Sequence, residues 1–398
     1  MPLNSERSKK IEAAIHQPSA ESEVRKAPVI IGGQKKMLEV YRLPISLLTY
    51  NIRNGRFAAE LMARERELGR KLNPLQPQDH AEIQALLLNL DPGATELLKR
   101  DLRAVGQTDP GIITHDGHVI NGNRRMAILS QLHKEDGTGK YEYLEVQRLP
   151  PDISERDLWR IEAGLQLSRD KRLEYGPVND LLKIREGINA GLKYDEIAAT
   201  LYGIDGGKEV QEKEKRLALI DSYLDYIGEP GTYLRANGLV EHFINVQDFL
   251  RWLDRQDVKP RERHNWLLRA FEMIRAELPH VELRKLRSIY ESERAHKHFL
   301  TAIVPMSGKR SADVQDEVSA TVKEQFEVAR DYQELEQDAK RPQSILSKAT
   351  RAMEALLKHK RAVASDTSLH VDVSAILRMA EELVAECEKG RARRKSPK

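Results

Sequence analysis

The run from Gly111 to Leu132 constrains this chain more than any other, because its apolar pattern changes there from alternating to helical across a single glycine turn. Ile112-Ile113-Thr114 and His118-Val119-Ile120 are short β-prone stretches joined by His115-Asp116-Gly117, and an Asp-Gly pair in that position is a strong hairpin signal. The second stretch runs into Asn121-Gly122. The residues after it, Asn123-Arg124-Arg125-Met126 and onward, place Met126, Leu129 and Leu132 on one helical face. Strand, glycine turn and helix come in that order, which calls for a small sheet with a helix packed on it.

The start of that helix has unusual chemistry. A helix N-terminus carries partial positive charge and unpaired amide N–H groups, so acidic side chains are the ordinary choice in its first turn. Here Arg124 and Arg125 stand in that turn. An anion between them would relieve the repulsion. Gly122 would let the backbone approach that anion, and guanidinium forks suit phosphate oxygens. The competing reading pairs either arginine with a local carboxylate such as Asp116 or Glu145, closing the sheet edge and nothing more. No Gly-x-x-x-x-Gly-Lys-Ser/Thr loop and no dinucleotide fingerprint occurs in the chain.

The remaining sequence sorts into segments. Residues 1–36 are polar and mixed in charge, with breaks at Pro18-Ser19 and Gly32-Gly33, and are expected to form a mobile arm. Met37 to Leu43 alternate like a half-buried strand ended by Pro44, and residues 141–149 alternate again until Pro150-Pro151. Between them, residues 79–105 have helical spacing interrupted by Asp91-Pro92-Gly93, which predicts two helices. From 154 onward only helical patterns recur. They cover 155–167, 178–190, 194–202, 208–226 and 239–255, then 263–277, 312–338, 345–360 and 373–388. The implied domain boundaries are an arm (1–36), an α+β domain (37–152), a helical linker with a helix pair (153–235), a helical C-terminal region (236–388) and a basic tail (389–398).

At 398 residues the chain exceeds one ordinary domain. Its 65 Lys+Arg against 62 Asp+Glu leave a formal +3, so contact with nucleic acid has to come from a local patch. The single cysteine, Cys387, makes no intramolecular disulfide and no cysteine metal cluster. No apolar run is long enough to span a membrane and the first residues lack the apolar run of a signal peptide, so the expected location is the cytoplasm, with no membrane partner.

Residues 192–226 suggest a helix-turn-helix. Ile197, Ala198 and Leu201 face inward on the first helix, Gly203 to Gly207 make the turn, and the second helix runs from Lys208 to Tyr226. Lys208, Gln211 and Lys215 are the side chains placed to reach DNA, provided that Glu209, Glu212 and Glu214 face away. Otherwise the pair only packs a core. The tail from Lys389 reads equally as a phosphate-backbone contact or a solubilising end. His115 and His118 flank the hairpin turn without a paired acid or cysteine, so no metal site is assigned there. Trp252, Trp266, Phe243 and Phe249 are expected to pack the middle helices. Ile376, Met379, Ala380, Leu383, Val384 and Cys387 form a stripe that suits either a core or a dimer seam.

The order Leu43-Pro44-Ile45-Ser46-Leu47-Leu48, Asn51-Ile52-Arg53, two helices, and then Asp109-Pro110-Gly111-Ile112-Ile113-Thr114 with Val119-Ile120-Asn121-Gly122-Asn123-Arg124-Arg125-Met126-Ala127 resembles the N-terminal domain of the ParB/sulfiredoxin superfamily. The resemblance covers roughly residues 37–230. It implies an α+β ParB-like domain (a small mixed sheet with helices), then an all-α helix-turn-helix region and a helical C-terminal region. In ParB proteins a Gly-Glu-Arg-Arg-x-x-Ala-like turn holds the triphosphate of CTP. In sulfiredoxins the equivalent turn carries a catalytic cysteine, and Cys387 lies far from it.

Carried onto this sequence, the resemblance implies cofactor contacts from Gly122, Asn123, Arg124 and Arg125, with Gln166 and Arg169 as counterparts of a downstream polar pair and Glu174 of a later acid. The ligand it implies is a nucleoside triphosphate, CTP or ATP, with Mg²⁺, in a homodimeric DNA-binding clamp or regulator. Two positions depart from the family. Asn123 replaces a glutamate and Leu165 fills the other acidic position, which weakens the case for Mg²⁺ and hydrolysis more than for anion binding. The alternatives are a nuclease or phosphotransferase on the same fold, with Glu174 or Asp116 as base, and a partner-binding protein with a degenerate pocket.

Overall fold

The chain is described by a computed structural model covering residues 4–16, 25–53, 55–167, 176–201, 204–302, 307–339 and 342–395. Its contacts divide it into two units, residues 1–287 with 303–323, and residues 288–302 with 324–398. The first unit begins with α1 (Ser5–Ile15), capped by Asn4, whose side chain accepts from the Arg7 amide. The strands are β1 (Lys26–Ile31), β2 (Gln34–Pro44), β3 (Thr49–Tyr50), β4 (Gly111–Ile113), β5 (His118–Asn121) and β6 (Tyr143–Arg148). They form one mixed sheet in the order β1-β2-β6-β4-β5-β3. β4 pairs parallel with β6 and antiparallel with β5, whose other neighbour, β3, is parallel.

The stretch 1–36 corrects its expectation as an arm, since it carries α1 and β1. Ile11 is buried, and β1 pairs along its length with β2, from Lys26 opposite Glu39 to Ile31 opposite Gln34. Gly32 and Gly33 both have positive φ and make the two-residue turn that this pairing needs.

Three helices come after β3 and one after β5: α2 (Ala58–Leu68), α3 (Pro77–Asn89), α4 (Pro92–Ala104) and α5 (Asn123–Asp136). The expected break between α3 and α4 is present because Asp91 caps α4, its Oδ1 accepting from the Ala94 amide at 2.9 Å. Period-two alternation then divides the sheet residues between two cores. Ile113, Val119, Leu144 and Val146 pack with Ile83, Leu87, Met126, Leu129 and Leu132, while Ile112, Ile120, Val29 and Leu149 pack with Ile161 on the other face.

Ile161 belongs to α6 (Glu155–Leu167), which is followed by α7 (Pro177–Asn189), α8 (Tyr194–Thr200) and α9 (Gly207–Tyr226). Trp159, Ile184, Ile197, Ala198 and Val210 tie these four helices into one cluster. In α10 (Val240–Leu253) and α11 (Pro260–Arg275) the expected aromatic packing is present. Phe243 and Trp266 are fully buried, with ring centroids 5.5 Å apart for Tyr223–Phe243 and 5.4 Å for Phe249–Trp266.

The remaining helices are α12 (His280–Leu283), α13 (Leu286–Glu291), α14 (Glu293–Ala302), α15 (Ala312–Ala339), α16 (Pro342–Lys358), α17 (Lys360–Ser365) and α18 (Thr367–Lys395). In the second unit Phe299 and Phe326 are buried edge to face. The tail expected from 389 is not a separate segment as far as Lys395, because α18 continues through it. The stripe in 373–388 is not core either: Met379, Leu383 and Val384 are each more than half exposed. Among the described residues no helix is long and apolar enough to cross a membrane.

Candidate functional site

α5 starts directly from the end of β5 through Gly122, whose φ of +110° is open to glycine and strained for other residues. No side chain caps this helix and its first turn holds no acid. Its leading amides therefore lack both the intrahelical acceptors and the capping oxygen that helix starts ordinarily have.

The next three residues have three different roles. Asn123 is buried and turns both ends of its amide into the fold, Nδ2 donating to the Val119 carbonyl at 2.6 Å and Oδ1 accepting from the Asn51 amide at 3.0 Å. It braces β5 against the segment after β3, which leaves it a poor contact for a ligand or a metal-bound water. Arg125 swings away and donates to the Asp109 carbonyl ahead of β4. Arg124 is the residue whose charge the fold leaves under-compensated. Its guanidinium is half-buried, and its Nε finds no acceptor among the described residues. Burial, and then the charge of Arg56, push its pKa down to about 10, with Asp91 opposing them. It remains a cation at neutral pH.

Arg56 was not foreseen. It lies in a short 3₁₀ turn, Gly55–Phe57, which leads into α2 and shows neither strand nor helix period in the sequence. Two arginines flanking a glycine, Arg53 and Arg56, were the available signal. The turn is held from the other side, because the Gly55 amide donates to Glu162 Oε1 at 3.0 Å and the Ala59 amide to Asn179 Oδ1 at 3.1 Å.

A cavity of about 680 Å³ opens next to this turn. His118 and Ile120 of β5, Leu61 and Met62 of α2, Trp159 of α6 and Leu182 of α7 contribute to its walls, and Asn51, which braces Asn123, lines it too. It also contains a charge cluster that the helical pattern of the sequence did not single out. Lys183 is 2% exposed and its ammonium lies 3.0 Å from Glu162 and 2.9 Å from Glu186. Burial alone would lower the Lys183 pKa, but the two carboxylates outweigh it and raise it. Burial raises that of Glu186.

The other expected residues separate clearly. Asp116, the alternative base, is not poised to take a proton. Burial acts to raise its pKa, but bonds from His118, Thr114 and the Asn4 amide hold it well below the ordinary carboxylate range. The same bonds account for His118. Gln166 lies on α6 by its backbone, and Arg169 and Glu174 fall outside the described residues. Among the described residues no group of three or more His, Cys, Asp or Glu gathers as a metal site.

Lys208, Gln211 and Lys215 form an exposed stripe on α9. The three glutamates beside this face are each paired, and Glu212 pairs with Lys215 of the stripe itself at 3.3 Å. Glu209 pairs with Lys213 at 3.4 Å, Glu212 accepts from Gln247 at 2.9 Å, and Glu214 accepts from the Tyr194 hydroxyl at 2.7 Å. α8 and α9 are joined at their ends by the Gly207 amide donating to Asp195 Oδ1 at 3.0 Å.

No protein-family model matches the chain, and no curated protein matches it in sequence. Among solved structures, a Pnob8-like ParB-N domain aligns with 12% identity over 80% of this chain and 99% of that one, at a TM-score of 0.28. A likeness at that score carries no argument about function.

Proposed function

We propose that this protein binds the phosphates of a nucleoside triphosphate at the N-terminus of α5 and contacts DNA through the exposed face of α9. The observation that carries the first half is Arg124. A half-buried guanidinium, repelled by Arg56 and set on an uncapped helix start, is stabilised by an incoming anion more than by anything the described fold supplies. CTP is the ligand that the sequence resemblance favours, with ATP the alternative.

Mg²⁺ does not fit this turn as a protein-bound ion. The amide of Asn123 is spent, the neighbouring charges are cationic, and Asp91, the carboxylate that acts on Arg124, already caps α4. Hydrolysis is correspondingly unsupported by the described residues, so the reading is one of binding and not of turnover.

The second half rests on the exposure of Lys208, Gln211 and Lys215 along one face of α9, where Lys215 shares Glu212 with Arg251 of α10. Fluorescence anisotropy of a labelled duplex, titrated at several salt concentrations with and without CTP, tests both halves together. Affinity should fall steeply with salt and change when nucleotide is present. Identical DNA curves with and without nucleotide would remove the coupling, and no DNA binding at low salt would remove the role of α9.

A further inference from the structure

A second cavity, of about 380 Å³, is lined by residues of α1, β3, α3 and α5 and of the turn between β2 and β3. It shares no lining residue with the larger cavity beside Lys183. Its volume falls at the small end of the ~300–1,000 Å³ range of small-molecule sites. Leu48, Pro74 and Met126 give it apolar wall.

Two polar atoms here lack what a folded interior ordinarily supplies. Tyr50 is fully buried, and its hydroxyl has no hydrogen-bond partner among the described residues. The buried Nδ1 of His133, on α5, has none either. Each has given up water without recovering a bond, which native structures rarely leave uncorrected. Burial raises the Tyr50 pKa, so the hydroxyl keeps its proton and is a donor in search of an acceptor. The neighbours are already engaged. The Thr49 hydroxyl donates to the Pro74 carbonyl at 3.0 Å, and Arg7 donates through Nε to the Asp116 carbonyl at 3.0 Å and through Nη2 to that of Leu47 at 2.9 Å. Those bonds fix the Arg7 guanidinium at the cavity wall, its charge partly offset by Asp116.

Charge defines the missing acceptor. The His80 ring stands 4.4 Å from that of Tyr50, centroid to centroid. Burial lowers the His80 pKa, and Lys134 and Arg7 lower it further, with no carboxylate acting against them. His80 is therefore neutral at pH 7, in a positive field that extends to the Tyr50 ring beside it. Glu142 is the one carboxylate in the lining. It limits the negative charge that the cavity tolerates, so a singly charged anion fits where a dianion does not.

We propose that this cavity binds a small monocarboxylate with an apolar body. The carboxylate accepts from the Tyr50 hydroxyl and from His133, in the tautomer that carries its proton on Nδ1, and the hydrocarbon part lies against Leu48, Pro74 and Met126.

Calorimetry of the full chain with hexanoate and 3-phenylpropanoate tests this, with hexanol, 3-phenylpropan-1-ol and succinate as comparisons. At least one of the two monocarboxylates should bind, and the matching alcohol and succinate should bind roughly 10-fold more weakly or worse. Tyr50→Phe keeps the ring and removes only the hydroxyl. It should weaken the monocarboxylate roughly 10-fold or more, while its melting temperature without ligand stays level or rises because no bond is lost. Glu142→Gln should tighten binding. Failure of both monocarboxylates to bind at millimolar concentration, equal binding of the alcohols, or a Tyr50→Phe variant that binds as the wild type does would each overturn the proposal.

Discussion

α5 and α18 carry the same kind of sequence signal, apolar residues at steps of three and four, and end in opposite surroundings. Met126 and Leu132 of α5 are each 1% exposed, packed on a sheet built by the strands on either side of it in the chain. Leu383 of α18 lies open at 59%. Periodicity defines which face of a helix is apolar, but the partner for that face has to come from elsewhere. Around α5 the chain itself supplies the partner through β4, β5 and β6. Along α18 the apolar stripe repeats more regularly, yet its residues stay exposed.

The contrast extends to charge, and its largest expected effect lies there. Replacing Lys183 by Met leaves Glu162 and Glu186 facing each other in a buried site, and breaking such a group costs about 3–5 kcal/mol. Lys389→Met, which removes an exposed pairing with Glu386, should change stability by less than about 0.5 kcal/mol. Urea unfolding followed by tryptophan fluorescence compares the two. The deficit of Lys183→Met should also shrink as pH falls. Burial already raises the Glu186 pKa, and a carboxyl with a raised folded pKa costs stability as pH rises and returns it on protonation. In the wild type the Lys183 pKa is raised, so its contribution is complete below the ordinary lysine value of 10.5 and fades only as pH climbs through the folded one. A deficit independent of pH would mean that the carboxylates are not what the lysine neutralises.

Apolar truncation gives the next contrast. Leu132→Ala should cost about 2–5 kcal/mol, whereas Leu383→Ala should leave the same fluorescence transition within about 0.5 kcal/mol. All three tryptophans lie in the first unit, so the signal reports on the sheet and its helices. Equal losses would erase the distinction between the two helices.

Smaller still is the expected effect at the DNA face. Lys215→Ala should weaken duplex binding modestly and reduce the slope of log affinity against log salt by about one if its contact is to phosphate. An unchanged slope would place that lysine outside the interface.

Much of the sheet and its helices was legible from turns. Asp116-Gly117, Gly122 and Asp91-Pro92 each mark an element boundary that the structure keeps. β1 was missed although Gly32-Gly33 is a hairpin turn, because the polar, mixed-charge composition of residues 1–36 outweighed the short apolar run Val29-Ile30-Ile31. The two residues of β3 are too few to show any period. At the site, the anomaly of two arginines in a first helical turn was visible, but their separate fates were not. Arg125 is drawn off by a carbonyl sixteen residues earlier in the chain, and Arg124 meets Arg56 only because the turn before α2 comes back across the start of α5. Glu162 and Lys183 were hidden for a similar reason, since a charged residue on a helix looks solvated until its neighbours are known.

We propose that Arg124, and not Arg125, receives the ligand. Calorimetry with CTP, ATP and GTP on the wild type, Arg124→Ala and Arg125→Ala, with a thermal melt of each, tests it most directly. Loss of a charge-assisted contact worth about 1.5–3 kcal/mol should weaken nucleotide binding roughly 10- to 150-fold in Arg124→Ala without lowering its melting temperature. Arg125→Ala should melt earlier and bind within a few-fold of wild type. Wild-type protein that binds none of the three nucleotides, or an Arg124→Ala variant that binds as tightly as the wild type, would contradict the account.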